Sequence, residues 1–343
     1  MPAATITGGA SGFGLAMAER CAALGMDVAL LDLDGERASA EAARLAEAYR
    51  VQTVGLALDV ADGASVDDAA ASVDERFGGV DLVVSNVGVQ LFGPIETFTD
   101  DEWRWVLDVN VTGSARVARS FIPLLRRAEH GRLAFTTSSS ILDPASRLGA
   151  YQSSKFAVWG LAETLRVELA PDGIDVCVIL PSGMLSRHLE TSEAAQPAEI
   201  RRPIAGEGDF DVMIASNPGM ASMLATPDDA AEGVIEAILA GEPYVITHGD
   251  LIDAVATRSA HLTNAAKPRL GGSERAQPPD RPGGPGRGAG LTVVASRDGE
   301  RDAWGGPHRP RRVRRRLPPR GVRAAPTRGA GVLARAHRAH AGR

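Results

Sequence analysis

A chain of 343 residues, 44% of them apolar, can build one large α/β domain or two small ones. Its two cysteines, Cys21 and Cys177, make neither a disulfide framework nor a metal-ligand spacing, no run of about 18 apolar residues is present to span a membrane, and the N-terminus lacks the basic-then-apolar pattern of a secretory leader, so the main body is expected to be soluble and cytoplasmic. The net charge of −6 hides a split, because residues 268–343 carry 18 Arg, no Lys and 5 acidic residues, a net of +13, against −19 for residues 1–267.

Residues 3–7 form a short apolar run that ends in a cluster of glycines. Residues 13–24 carry apolar side chains at helical spacing, residues 28–31 are apolar and stop at Asp32, and residues 36–49 are Ala-rich, charged and helical in period. The alternation continues with a strand at 53–58, a helix at 64–77, a strand at 82–85, one long helix over 100–127, a strand at 132–137, a helix at 151–169 and a strand at 175–180. Strands and helices alternating at this pitch predict βαβ units and an α/β fold with a doubly wound parallel sheet, in a single domain of residues 1–267. The continuous apolar strand 175–180 fits a sheet covered on both faces.

Residues 184–226 break the rhythm. They are polar and irregular, and include Pro197, Pro203, Gly206, Gly208 and Pro218, which predicts a substrate-binding loop or lid. Helix resumes at 227–240, and residues 244–247 read as a last strand. From Pro268 onward, Gly, Pro, Ala and Arg dominate without periodicity, so this tail is expected to be disordered. Three readings of it stay open: a basic arm for acidic partners, a solvated extension, or an out-of-frame translation of GC-rich codons. With Trp304 its only aromatic, the tail lacks the interleaved aromatics of single-strand binders, and no nucleic-acid partner is expected.

The first motif is Thr7-Gly8-Gly9-Ala10-Ser11-Gly12-Phe13-Gly14, between the first strand and the first helix. Gly8 permits a tight turn, Gly12 a close approach of backbone to a pyrophosphate, and Gly14 close packing of helix on strand. The helix N-terminus then offers free N–H groups to the phosphates. Asp32 ends the second strand, where a carboxylate accepts hydrogen bonds from ribose hydroxyls and repels a 2′-phosphate. Neither Ser11 nor Leu33 supplies a cation for that phosphate, so NAD is the expected cofactor.

The second motif is Tyr151-Gln152-Ser153-Ser154-Lys155, where the i, i+4 spacing puts phenol and ammonium on one helix face. A nearby ammonium lowers a phenol's pKa and makes it a usable acid/base. The chain has only two lysines, Lys155 and Lys267, among 37 basic residues, yet lysine stands here. Ser138 follows the strand at 132–137, Asn110 lies in the long helix, and Asn86-Val87-Gly88 follows the strand at 82–85. Ser139 and Ser140 adjoin Ser138, so the serine assignment stays open by a residue or two.

The glycine turn, the Asn-x-Gly element and the ordered set Asn110, Ser138, Tyr151, Lys155 together resemble the short-chain dehydrogenase/reductase family over about residues 3–262. The resemblance implies a Rossmann-type sheet and hydride transfer between NAD(H) and a small secondary alcohol or ketone. It implies that Tyr151 exchanges the proton with the substrate oxygen, Ser138 hydrogen-bonds that oxygen, Lys155 binds the nicotinamide ribose and lowers the tyrosine pKa, and Asn110 holds a relay water. It carries cofactor contacts to Thr7, Gly8, Ser11, Gly12, Phe13, Gly14, Asp32, Asn86, Gly88, Tyr151, Lys155, Pro181 and Gly183, and an adenine contact to Asp59 beside Val60. The family's carboxamide-binding threonine has no clear equivalent after Pro181-Ser182-Gly183, and Ser186 stands nearest. Gln90, Leu91, Phe92, Leu142, Trp159 and Met184 are candidates for an apolar substrate wall, with core packing the competing role. His188 and His248 read as surface or lid residues. Faint similarity of residues 93–96 and 244–248 to members acting on bulky aryl or alicyclic alcohols, and a homodimer or tetramer packed through helices 100–127 and 151–169, also follow from the resemblance. The competing class is a non-catalytic NAD-binding regulator on the same fold.

Overall fold

The computed structural model describes residues 1–217, 219 and 224–266. The basic tail at 268–343, and Lys267 before it, lie outside the described residues. Met1–Thr263 belong to one compact unit.

Its centre is a parallel sheet of seven strands: β1 Ala3–Thr7, β2 Asp27–Asp32, β3 Thr53–Ala57, β4 Leu82–Ser85, β5 Arg132–Thr136, β6 Asp175–Leu180 and β7 Tyr244–Ile246. Their order is β3-β2-β1-β4-β5-β6-β7, with every pairing parallel. Side chains alternate between two apolar layers, as a period of two requires. Ala4, Ile6, Val28, Leu30, Val84 and Ile179 face one layer, while Leu31, Val83, Phe135 and Val178 face the other. Both cysteines are free and buried, and burial pushes each thiol up to about 12.

Helices α1 (Gly12–Ala23) and α2 (Gly35–Tyr49) contribute to the first layer, α3 (Gly63–Phe77) to the second. Asp34 and Asp62 cap α2 and α3 by accepting from Arg37 N and Ala64 N. The long helix expected over 100–127 is a continuous helical run with an interruption: α4 (Asp100–Leu107), a π-helical segment at Asp108–Thr112, and α5 (Gly113–Leu125). Thr99 and Glu102 close a capping box at its start. Helix α6 (Gly149–Leu169) packs beside this run.

The irregular segment at 184–226 holds two short helices that hydropathy alone did not reveal, α7 (His188–Ala194) and α8 (Asp209–Ser216). The helix expected over 227–240 is split into α9 (Pro227–Ala231) and α10 (Val234–Leu239), because Gly233 takes a φ of 72° between them. A final helix, α11 (Ile252–Ala265), follows β7 where sequence reading placed no element; it buries no residue, and its Ile252, Val255 and Leu262 are exposed.

Strand order reverses between β1 and β4, and a crevice opens at that switch point beyond the carboxyl ends of the strands. The glycine turn follows β1 and the Asn86–Gly88 element follows β4, so the topology brings both motifs to one place.

Candidate active site

A cavity of about 770 Å³ runs from Asp32 across the glycine turn to Tyr151 and on to α8, within the usual range of about 300–1,000 Å³ for small-molecule sites. At its entrance Ser11 precedes α1 without capping it through its side chain, so the leading N–H groups of the helix stay available to an anion. Gly12 holds a φ of 52°, and a Cβ there would meet only Ser186, at 3.7 Å, so the turn is open on that side. A Cβ on Gly14 would fall 2.0 Å from the Gly8 carbonyl oxygen, which admits no other residue. A helix N-terminus left open behind a turn this tight fits a dinucleotide pyrophosphate.

Asp32 lines the same end of the cavity, and its carboxylate accepts from the backbone N–H of Ala10 at 3.0 Å and of Asp34 at 3.2 Å. Asp59, Val60, Asn86, Gly88, Pro181 and Gly183 also line the cavity. Thr7 does not. It is fully buried, and its hydroxyl accepts from Asn86 N at 2.9 Å and Val87 N at 3.3 Å, which ties the end of β1 to the end of β4. Asn86 completes the tie through Thr7 O and the Thr136 hydroxyl. Thr7 therefore shapes the crevice from behind its wall.

Ser138, Tyr151 and Lys155 meet at the inner end. The Ser138 hydroxyl lies beside Tyr151; burial pushes the phenol up to about 12, with Ser138 pulling the other way. Lys155 is 3% exposed; its Nζ donates to Thr136 O at 3.0 Å and lies 5.6 Å from the centre of the Tyr151 ring. Burial brings its ammonium down to about 8. The expectation that Lys155 depresses the tyrosine is not met in the protein alone: desolvation opposes the phenolate and the ammonium alike, and dominates both. Of the three adjacent serines, Ser138 is the one that acts on the Tyr151 phenol.

Asn110 occupies a different position. It sits in the π-helical segment, 1% exposed and behind the wall, not on it. Its Oδ1 accepts from Val89 N at 2.7 Å, and its Nδ2 donates to Val89 O at 2.9 Å and to the Ser154 hydroxyl at 2.8 Å. The side chain thus clamps the strand-end loop after β4 to α6, next to Lys155. Its own carbonyl accepts from Ser114 Oγ at 2.7 Å. With these bonds, the side chain holds the wall that positions the reacting groups.

Sequence reading passed over Arg37 and gave His188 and His248 no role beyond surface or lid. Arg37, one turn into α2, lines the Asp32 end. His248 pins the Pro181–Gly183 loop: its Nε2 bonds Gly183 O at 2.8 Å, and its own carbonyl accepts from the Ser182 hydroxyl at 2.9 Å. His188, read as surface or lid, lines the cavity with its ring centre 6.4 Å from that of Tyr151. Only the packing of distant segments reveals these three. Among the wall candidates, Gln90, Phe92 and Met184 line the cavity; Leu91 is core, Leu142 faces another recess, and Trp159 donates to Glu163 at 2.7 Å outside it. The apolar far wall comes instead from Trp105, Leu148, Phe210, Met213 and Ile214. Arg202 anchors the segment at 184–226 by pairing with buried Glu102 and donating to Phe92 O at 3.1 Å.

Among the described residues no helix is long and apolar enough to cross a membrane.

The family model for short chain dehydrogenase matches residues 2–197. The chain is 31% identical to the short-chain reductase protein NovJ of Streptomyces niveus over 232 residues, 68% of this chain and 85% of that protein. It is 34% identical to L-2,3-butanediol dehydrogenase of Corynebacterium glutamicum over 183 residues, 52% of this chain and 70% of that protein. A solved short chain dehydrogenase/reductase from Burkholderia phymatum, in complex with NAD, superposes with a TM-score of 0.69 at 29% identity, covering 80% of this chain and 98% of that one.

Proposed function

The chain belongs to the short-chain dehydrogenase family of oxidoreductases, and on that premise we propose that it moves a hydride between NAD(H) and a secondary alcohol or ketone, with Tyr151 as the acid/base. One observation carries this reading: Tyr151, with Ser138 and buried Lys155 beside it, shares a single cavity with the open glycine turn. The dinucleotide supplies the hydride acceptor in one direction and the donor in the other. The phosphates fall to Ser11–Gly14 and the N-terminus of α1. The adenosine ribose falls to Asp32, adenine to the neighbourhood of Asp59 and Val60, and the nicotinamide end to Asn86, Gly88, Lys155, Pro181 and Gly183.

Ser138 and the Tyr151 hydroxyl orient the substrate oxygen, and Tyr151 gives up or takes the proton at that oxygen. The far wall, with Phe92, Trp105, Phe210 and Met213, supports a substrate with a bulky apolar group, aryl or alicyclic. NAD is favoured over NADP because the Asp32 carboxylate faces the position a 2′-phosphate would take. A homodimer or tetramer built through α4–α5 and α6 is supported by large apolar residues left exposed there, Leu107, Phe156 and Val167.

The test is NADH formation over a panel of secondary alcohols, with Tyr151→Phe as the control. Turnover by the wild type and a loss of about 10³-fold or more in the variant is the expected result, since the phenol's proton-transfer share is typically about 10²–10⁴. NADH binding without turnover in either direction would overturn it and leave an NAD-binding regulator.

A further inference from the structure

The hydride-transfer reading leaves two buried polar atoms, on residues that line the cavity, without employment. His188 opens α7, five residues beyond Gly183, and its ring tilts 59° to that of Tyr151. Its Nε2 is buried and has no hydrogen-bond partner. The Ser140 hydroxyl, on the same cavity's lining, is also buried and unpartnered. Buried polar atoms of native proteins are nearly all paired, and a ligand in an adjoining cavity supplies a partner that the protein does not.

The chemistry of the missing partner can be narrowed. Burial, and the neighbouring Lys155 ammonium, hold the imidazole down to about 4. The ring is therefore neutral at pH 7 and offers one N–H donor and one acceptor nitrogen. A neutral ring gives no charge to offset the desolvation of a carboxylate. A hydroxyl or a carbonyl oxygen, by contrast, meets it without that cost.

We infer that His188 binds a second, uncharged oxygen of the substrate close to the reacting carbon, so that the preferred substrates are diols, hydroxyketones or similarly oxygenated compounds and not simple alcohols. The inference rests on the hydride-transfer reading above and deepens it by naming a substrate class. His188 is then a specificity residue: it discriminates by leaving its own Nε2 unpaired when the second oxygen is missing.

The experiment uses the full chain with NAD and matched pairs that differ only by one hydroxyl: cyclohexanol against vicinal cyclohexanediol, and sec-butanol against its vicinal diol. Wild type is expected to show a kcat/KM about 10- to 100-fold higher for the diols, the range set by one buried hydrogen bond. His188→Leu is expected to collapse most of that preference, His188→Gln to restore part of it, and NADH affinity, read by fluorescence titration, not to follow either change. Turnover of the mono-alcohols with no gain for the diols overturns this inference alone. So does an equal loss on both members of each pair in His188→Leu, or a matching loss of NADH affinity, which would put the contact on the dinucleotide. Tight NADH binding with no turnover of any member overturns the hydride-transfer reading, and this inference with it.

Discussion

Tyr151 and Lys155 titrate in opposite directions from their ordinary values because both are deprived of water. A phenol held near 12 is protonated at neutral pH and poised to give its proton to a carbonyl. Ketone reduction is therefore expected to dominate near pH 7 and to weaken as pH rises, while alcohol oxidation, which needs the phenolate, climbs with pH; kcat/KM profiles in both directions check this, and opposite slopes are the expected outcome. At the other end of the cavity two charges compete. On the proposed reading Asp32 repels a 2′-phosphate, yet Arg37 lines the same end and would attract one. Asp32→Ala is expected to shift the NADP-to-NAD ratio of kcat/KM upward by about 10- to 100-fold, the worth of a charge-assisted hydrogen bond. Adding Arg37→Ala should cancel most of that gain; a double variant that keeps it would show that Arg37 plays no part.

Among the elements, the π-helical segment at Asp108–Thr112 matters most. It places Asn110 where its amide reaches both N–H and C=O of Val89 and the Ser154 hydroxyl at once. Asn110→Ala leaves two backbone groups of buried Val89 unpaired, so it is expected to cost about 2–4 kcal/mol of stability by chemical denaturation. Because the loosened loop carries Gly88, whose added Cβ would lie 2.9 Å from Lys155 Nζ, kcat is expected to fall as well. A variant with wild-type stability would remove the clamp from this account. The segment at 184–226 is anchored in a comparable way. Arg202 pairs with Glu102, which also caps α4, and Asn217 and Ser216 bond Asp143 and Ser146 in the loop that leads into α6.

For the molecule as a whole, every group assigned a role lies between Thr7 and His248, within the compact unit that holds the sheet. A chain ending at Ala266 is therefore expected to retain its kcat/KM, its NADH affinity and its number of subunits by sedimentation. Loss of any of the three on truncation would give residues 267–343 a role that nothing in the site requires. The sheet itself is continuous from β3 to β7, so the two halves of the site, the glycine turn and the Tyr151 end, are held by one hydrogen-bonded frame.

Much of this was legible from residues in order. Apolar runs bounded by glycine and aspartate located the strands, and β1, β4 and β6 match residue for residue. The glycine turn, Asp32, and the Tyr151–Lys155 spacing are local patterns, set by backbone sterics and helix period, which a sequence carries in full. What depends on distant segments meeting was not legible. Thr7 turned inward because β4 arrives beside β1 and captures its hydroxyl. Asn110 became a clamp because a π-turn rotated it toward Val89. His188, His248 and Arg37 joined the site because α7, the turn after β7 and α2 bring them there. The pKa of Tyr151 went the other way from the sequence expectation, since an i, i+4 spacing reports that an ammonium is near, whereas the depth of burial, which only the packed molecule determines, decides how far a charge is tolerated.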